Sequence, residues 1–294
     1  MQNKCEANYD WFKLACSSDA IIGPSGNNIE KCRFCGKIYT PSDFSQRTHV
    51  VSESLGNRGV VSSDECDECN NYFSHIEQDF FTANKYFLIL DDIVGKNGNS
   101  PCFNQGNFKF YNTGEHLVIQ VPKSEEKPIM RNLSKGHLII ERMGNNDKFR
   151  PRNVYKSLVK YAMSILPIDR LSPFCKTLDW IRGKQNEDGS LCLHTVFHSI
   201  VSPSTTPIIQ TFIQSTTNYE LPYAWGIFQC ASIRYYFIIP YAGEWECNLS
   251  NNDTLKKFLL LIFNHDEPTN LTSDDFSSSN LHRVKFETHI KIES

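Results

Sequence analysis

Two Cys-x-x-Cys pairs, Cys32-Arg33-Phe34-Cys35 and Cys66-Asp67-Glu68-Cys69, constrain this chain more than any other feature. A two-residue gap lets one tight turn aim both sulfurs at a common point. Two such knuckles supply the four thiolates that a tetrahedral zinc ion takes. Gly36, directly after the first pair, permits that turn. The spacing predicts a structural zinc ion held by Cys32, Cys35, Cys66 and Cys69. Such a site is closed. Zinc with four protein ligands stabilises a fold and keeps no position open for substrate. Any chemistry must come from side chains that the zinc holds in place.

The chain has 11 cysteines, an odd number, and its 294 residues suffice to build a core without cross-links. That argues against a disulfide scaffold and for a reducing compartment, so a cytoplasmic location is expected. Cys5, Cys16, Cys102, Cys175, Cys192, Cys230 and Cys247 read mostly as small apolar side chains. A hydrophobic fraction of 40% with 21% charged residues is globular and not disordered. No apolar run approaches the roughly 18 residues of a membrane span, and the N-terminus lacks the pattern of a secretory signal. No membrane partner is expected.

The net charge of −3 gives no overall support for a nucleic-acid partner. The distribution says more. Residues 123–184 hold 14 Lys/Arg against 6 Asp/Glu, whereas residues 31–95 hold 6 against 10. Two readings of the basic stretch stand: a surface that faces DNA, or a solvated helix face with no partner.

Three segments are expected along the chain. Residues 1–30 read as a leading helix over 6–17, built on Trp11, Phe12 and Leu14, followed by a turn-rich linker. Residues 31–95 form the cysteine-bearing module. Residues 96–294 form a larger domain, entered through a glycine-rich linker over 95–106. Within it, strands are expected at 108–111, 117–121, 138–140, 191–199, 208–213, 225–229, 233–239 and 284–292. A helix starts at Pro151 and carries Val154, Leu158, Tyr161, Ala162 and Ile165 on one stripe, with Lys156 and Lys160 off it. Pro167 stops that helix. Another helix spans 172–182, and a buried one spans 255–263. Residues 269–280 read as an exposed loop. The aromatics of 219–245 read as core, with a pocket lining as the alternative. The fold class is α+β: a small zinc-bound ββα-metal module joined to a larger mixed α+β domain.

Between the knuckles lies Thr48-His49-Val50-Val51-Ser52-Glu53-Ser54-Leu55-Gly56-Asn57, and Asn70 directly follows the second knuckle. This order resembles the HNH endonucleases, and is especially similar to the branch with a four-cysteine zinc in a ββα-metal fold. The resemblance covers roughly residues 31–80. It implies that His49, at the end of the first strand, is the general base, a role suited to a group that titrates near neutral pH. It implies one catalytic divalent cation, magnesium or manganese, that stabilises charge on the scissile phosphate. Asn70 would help hold that cation, and Asn57 would fix the loop that presents His49.

The sequence departs from the family at Thr48, where many such enzymes place an acidic or histidine ligand. Glu53 and His75 are further candidates for that duty. His75 lies five residues past Asn70 and shares a helical face with Asn71 instead. The remaining histidines, among them His116, His198, His265 and His282, read as structural.

The resemblance implies DNA as partner, and paired cuts on both strands would suit a homodimer. By analogy alone, the larger domain targets, dimerises, or senses an activating ligand or partner protein, as in anti-phage defence. The rival reading is a non-catalytic zinc module that binds nucleic acid or protein, and Thr48 favours it.

Overall fold

The structure, a computed structural model, describes residues 9–24, 31–95, 98–123, 130–134, 137–184, 195–216, 218, 220–242, 252–266 and 268–291. A four-stranded antiparallel sheet forms the platform. Its spine is β10 (Thr195–Gln214). β11 (Ala224–Ile238) pairs along one edge. The other edge is shared by β1 (Tyr9–Ala15) and β12 (Thr272–Asp275), which pair with opposite ends of β10. The strands expected at 191–199 and 208–213 are thus one strand, with register shifts between Ile200, Ser204 and Ile208, although residues 191–194 lie outside the described residues. Those expected at 225–229 and 233–239 are likewise one strand, in which Ala231 takes φ 55.

The leading helix expected over 6–17 is instead the strand β1. Phe12 and Leu14 face the main core while Tyr9 packs into a second cluster and Trp11 is half exposed, an alternation of period two. Aromatic residues favour that pleated setting once a partner strand exists. The linker expected over 95–106 contains β5 (Cys102–Gln105). It forms a meander with β6 (Phe108–Asn112) and β7 (Leu117–Gln120) against the far end of the longest helix. The loop expected over 269–280 contains β12, because it completes the edge of β10. A third sheet joins β8 (Met130–Ser134), β9 (His137–Phe149) and β13 (His282–Lys291). Ile292, placed in the last expected strand, lies outside the described residues.

The cysteine-bearing segment folds as β3 (Thr48–His49), β4 (Val60–Ser62) and α1 (Asp67–Leu90), a ββα unit. β2 (Ala20–Ile22), from the stretch read as linker, adds a parallel strand to β4. The unit's core runs on into the rest of the molecule. Phe80 of α1 meets Tyr161 at 5.7 Å, Phe228 at 5.3 Å and Tyr235 at 5.8 Å, all edge-on. Fully burying a ring of this size is worth about 2–3 kcal/mol, so α1 is fixed largely by residues far along the chain.

α2 (Pro151–Ser164) lies between α1 and the platform sheet. Tyr155, Val159 and Met163 widen the apolar face beyond the expected stripe, while Lys156, Ser157, Lys160 and Ser164 make the opposite face polar, and the helix is nonetheless buried throughout its second half. Lys156 and Lys160 are buried with it. Two charges of the basic stretch are therefore internal, and α2 presents no solvated lysine face. α3 (Cys175–Ile181) follows a 3-10 turn at Ser172–Phe174, within the expected 172–182. α4 (Asn252–Asp266) is only half buried. Phe258, Leu261 and Ile262 pack against Trp225 and Tyr236, while Leu260 and Phe263 face solvent. Trp225, Phe228, Tyr235, Tyr236 and Phe237 are core residues. Among the described residues, no helix is long and apolar enough to cross a membrane.

Candidate active site and metal centre

The sulfurs of Cys32, Cys35, Cys66 and Cys69 all lie within 4.8 Å of one another. The first knuckle turns at Gly36, whose φ of 71 is left-handed. The Lys37 amide donates to Cys35 Sγ at 3.4 Å, and the Cys66 amide donates to Cys32 Sγ at 3.4 Å. Cys66 is the N-cap of α1 and Cys69 sits in its first turn. The second knuckle is therefore the start of the helix.

Without a cation the four thiols cannot all ionise. A hydrogen bond from Cys69 holds Cys32 down to about 5, and giving that bond pushes Cys69 up. Burial, helped by the charge on Cys32, pushes Cys66 up to about 12. A divalent ion at the centre removes that competition, and four thiolates are the donor set zinc takes. The residues fit zinc.

β3 presents His49 by pairing with β4, His49 opposite Val61. The turn Glu53–Leu55 then returns the chain, and Gly56 ends it at φ 94. A Cβ on Gly56 would fall 2.6 Å from the Thr205 carbonyl oxygen, so glycine is required for space as well as conformation. Asn57 is fully buried. Its Nδ2 donates to the carbonyls of Val51 (2.8 Å) and Val60 (2.9 Å), and its Oδ1 accepts from the Val60 amide (2.9 Å). It staples the loop after His49 to β4.

His49 is half-buried, with Nε2 3.6 Å from Glu53 Oε1. Asn70 is tied to the segment that leads into β3. Its Nδ2 donates to Gln46 Oε1 at 2.7 Å, just ahead of β3. Asp67 accepts from the Ser45 hydroxyl (2.7 Å) and the amides of Ser45 (3.2 Å) and Gln46 (3.0 Å). The first turn of α1 therefore grips the approach to β3. Thr48 is turned inward and buried, so the usual ligand position faces the core. His75 is exposed, and five residues place it roughly 140° around α1 from Asn70. The structure pairs His49 with Glu53, ties Asn57 to the loop after His49 and Asn70 to Gln46, and sets His75 on another face of α1 than Asn70.

Sequence reasoning missed a buried ionic layer beneath this site. Arg33, inside the first knuckle, forks onto Asp64 at 2.6 Å and 2.9 Å. Its remaining nitrogen donates to the carbonyls of Met163 (3.2 Å), Ser164 and Leu166 (3.3 Å) at the C-terminal end of α2. A cation suits that end of a helix, where unpaired carbonyls concentrate negative charge. Nearby, Lys160 of α2 meets Glu77 at 3.0 Å and Glu65 at 3.6 Å. Burial pushes the Glu65 carboxyl up to about 7. Asp64-Glu65 directly before the second knuckle was the available signal, whereas Lys156 and Lys160 lie on the polar face of α2 and read as solvated.

Residues 32–85 match the HNH endonuclease family model, so the chain carries an HNH-type module with a four-cysteine cluster. No match was found among curated proteins or solved structures.

Proposed function

We propose that this module hydrolyses phosphodiester bonds in DNA with the help of one divalent cation. His49 beside Glu53, within the segment that matches the family, carries the reading. The imidazole takes the proton of the attacking water as its oxygen bonds to phosphorus and the bond to the leaving sugar oxygen breaks. Glu53 lies close enough to orient the ring and to offer a hard oxygen donor. With the side-chain oxygen of Asn70 and water, it would offer donors of the kind magnesium or manganese takes. Such an ion supplies charge stabilisation at the scissile phosphate. Asn57 keeps the loop after His49 in register.

One observation favours the rival reading, a non-catalytic zinc module that binds nucleic acid or protein: Thr48 is buried where many family members carry a metal ligand. The two separate in one assay. Zinc-loaded protein is expected to nick supercoiled plasmid when magnesium or manganese is added at millimolar levels. Brief EDTA treatment that leaves the zinc in place is expected to abolish nicking, and added manganese to restore it. Folded, zinc-loaded protein that binds plasmid but leaves it intact at every metal concentration would establish the rival.

A further inference from the structure

We propose that Lys160 of α2, far outside the zinc-bearing segment in sequence, is a positioning residue for His49. The proposal rests on the reading of His49 as the base. Lys160 is 1% exposed. Its ammonium lies 3.4 Å from the His49 carbonyl oxygen and 3.2 Å from that of Val50, and donates to both. Its counter-charges are Glu77 on α1 and Glu65, the residue before the second knuckle. The rings of Phe73 and Tyr161 sit 5.7 Å and 5.6 Å from the same nitrogen.

A buried ammonium is costly unless its charge is paired and its protons are all used. Here the carbonyls and carboxylates come from three pieces: the end of β3, the second knuckle and the middle of α1. One group in α2 therefore fixes the distances among them. An apolar residue of the same volume would fill the space. It would not donate to the carbonyls at 49 and 50, the backbone from which the imidazole projects. A misplacement of about 1 Å at a reacting group costs on the order of 10²-fold in rate. Lys160 is buried and its ammonium is spent on the carbonyls at 49 and 50 and on Glu65 and Glu77, so its effect passes through His49. Residues 32–85 alone do not contain what sets the base.

The test replaces the whole charge set at once, Lys160→Met with Glu65→Gln and Glu77→Gln, so that no carboxylate is left buried and unpaired. Zinc content and the thermal melt report the fold. Plasmid nicking gives kcat and KM, and carbonyl ¹³C shifts of His49 and Val50 report the contact itself. The expected result is full zinc, a cooperative melt, KM within about 3-fold of wild type, kcat down roughly 10- to 100-fold, and both carbonyl shifts moved. Lys160→Arg, which keeps donors and charge, is expected to recover part of kcat. It also serves as the decisive variant if the triple substitution does not fold, with kcat between wild type and the triple and both shifts moved. Unchanged kcat with unmoved shifts in a folded variant would overturn the proposal. If wild-type protein itself never nicks, the nuclease reading fails. The carbonyl shifts then still decide whether Lys160 holds His49: movement supports it, and no movement overturns it.

Discussion

Cys69→Ser protein, or wild type stripped by a strong zinc chelator, is expected to lose the cooperative fold of residues 31–95 and to drag down the rest of the core. The physical reason lies in what the metal replaces. Structural zinc supplies roughly 10–16 kcal/mol of apparent folding energy in small zinc-bearing peptides. Here Cys32, Cys66 and Cys69 are buried within the same core as Phe34, Phe73 and Phe80. Removing the ion leaves competing thiols where the helix must start, since Cys66 caps α1. Because α1 packs on Tyr161, Phe228 and Tyr235, loss of its first turns exposes rings of the distant elements as well. Metal analysis with a circular-dichroism melt checks this. A melting temperature lower by more than about 10 °C is expected, against no change for Cys175→Ser, whose side chain is exposed. A zinc-free Cys69→Ser protein that melts like wild type would remove the metal from the account.

Arg33→Met is expected to destabilise the protein by about 3–5 kcal/mol, the usual cost of removing one partner from a buried pair. Arg33 and Asp64 have side chains only 1% and 0% exposed. The substitution leaves a buried carboxylate without its partner and strips the end of α2 of its donor. Arg33→Met with Asp64→Leu removes both charges and is expected to recover most of the loss, because well-packed apolar pairs often replace buried ion pairs without cost. Urea denaturation of the two singles and the double closes the cycle. A cost below about 1 kcal/mol for Arg33→Met alone would mean the guanidinium is solvated and not structural.

The four-cysteine cluster and the loop after His49 are legible in the sequence because their constraints are local. Thiolate chemistry with a two-residue gap and a glycine names the knuckle from five residues, and Leu55-Gly56-Asn57 lie within one turn of the strand they staple. The strand at Tyr9–Ala15 was not legible. Trp11, Phe12 and Leu14 fit either period, and the choice is made by β10, about two hundred residues later. Residues 102–105 and 272–275 read as linker and loop for the same reason, since each becomes a strand only beside its partner.

In α2 the apolar stripe predicts the helix, but the polar stripe with Lys156 and Lys160 predicts a solvated face, which the structure buries. The depth of Lys160 is not legible in the helix itself, because Glu65, Glu77 and the carbonyls at 49 and 50 that meet its charge lie on other elements. A helix of 3.6 residues per turn sets His75 on a face away from Asn70, where it is exposed.

The central claim is that His49 is the base of a DNA-cutting centre. The direct measurement is the first-order rate of plasmid nicking by His49→Ala protein, beside wild type at the same manganese concentration. Both preparations must carry full zinc and show the same thermal melt. The account predicts a rate lower by roughly 10²- to 10⁴-fold, the contribution of a positioned general base. A folded, zinc-loaded His49→Ala protein that nicks as fast as wild type would contradict it.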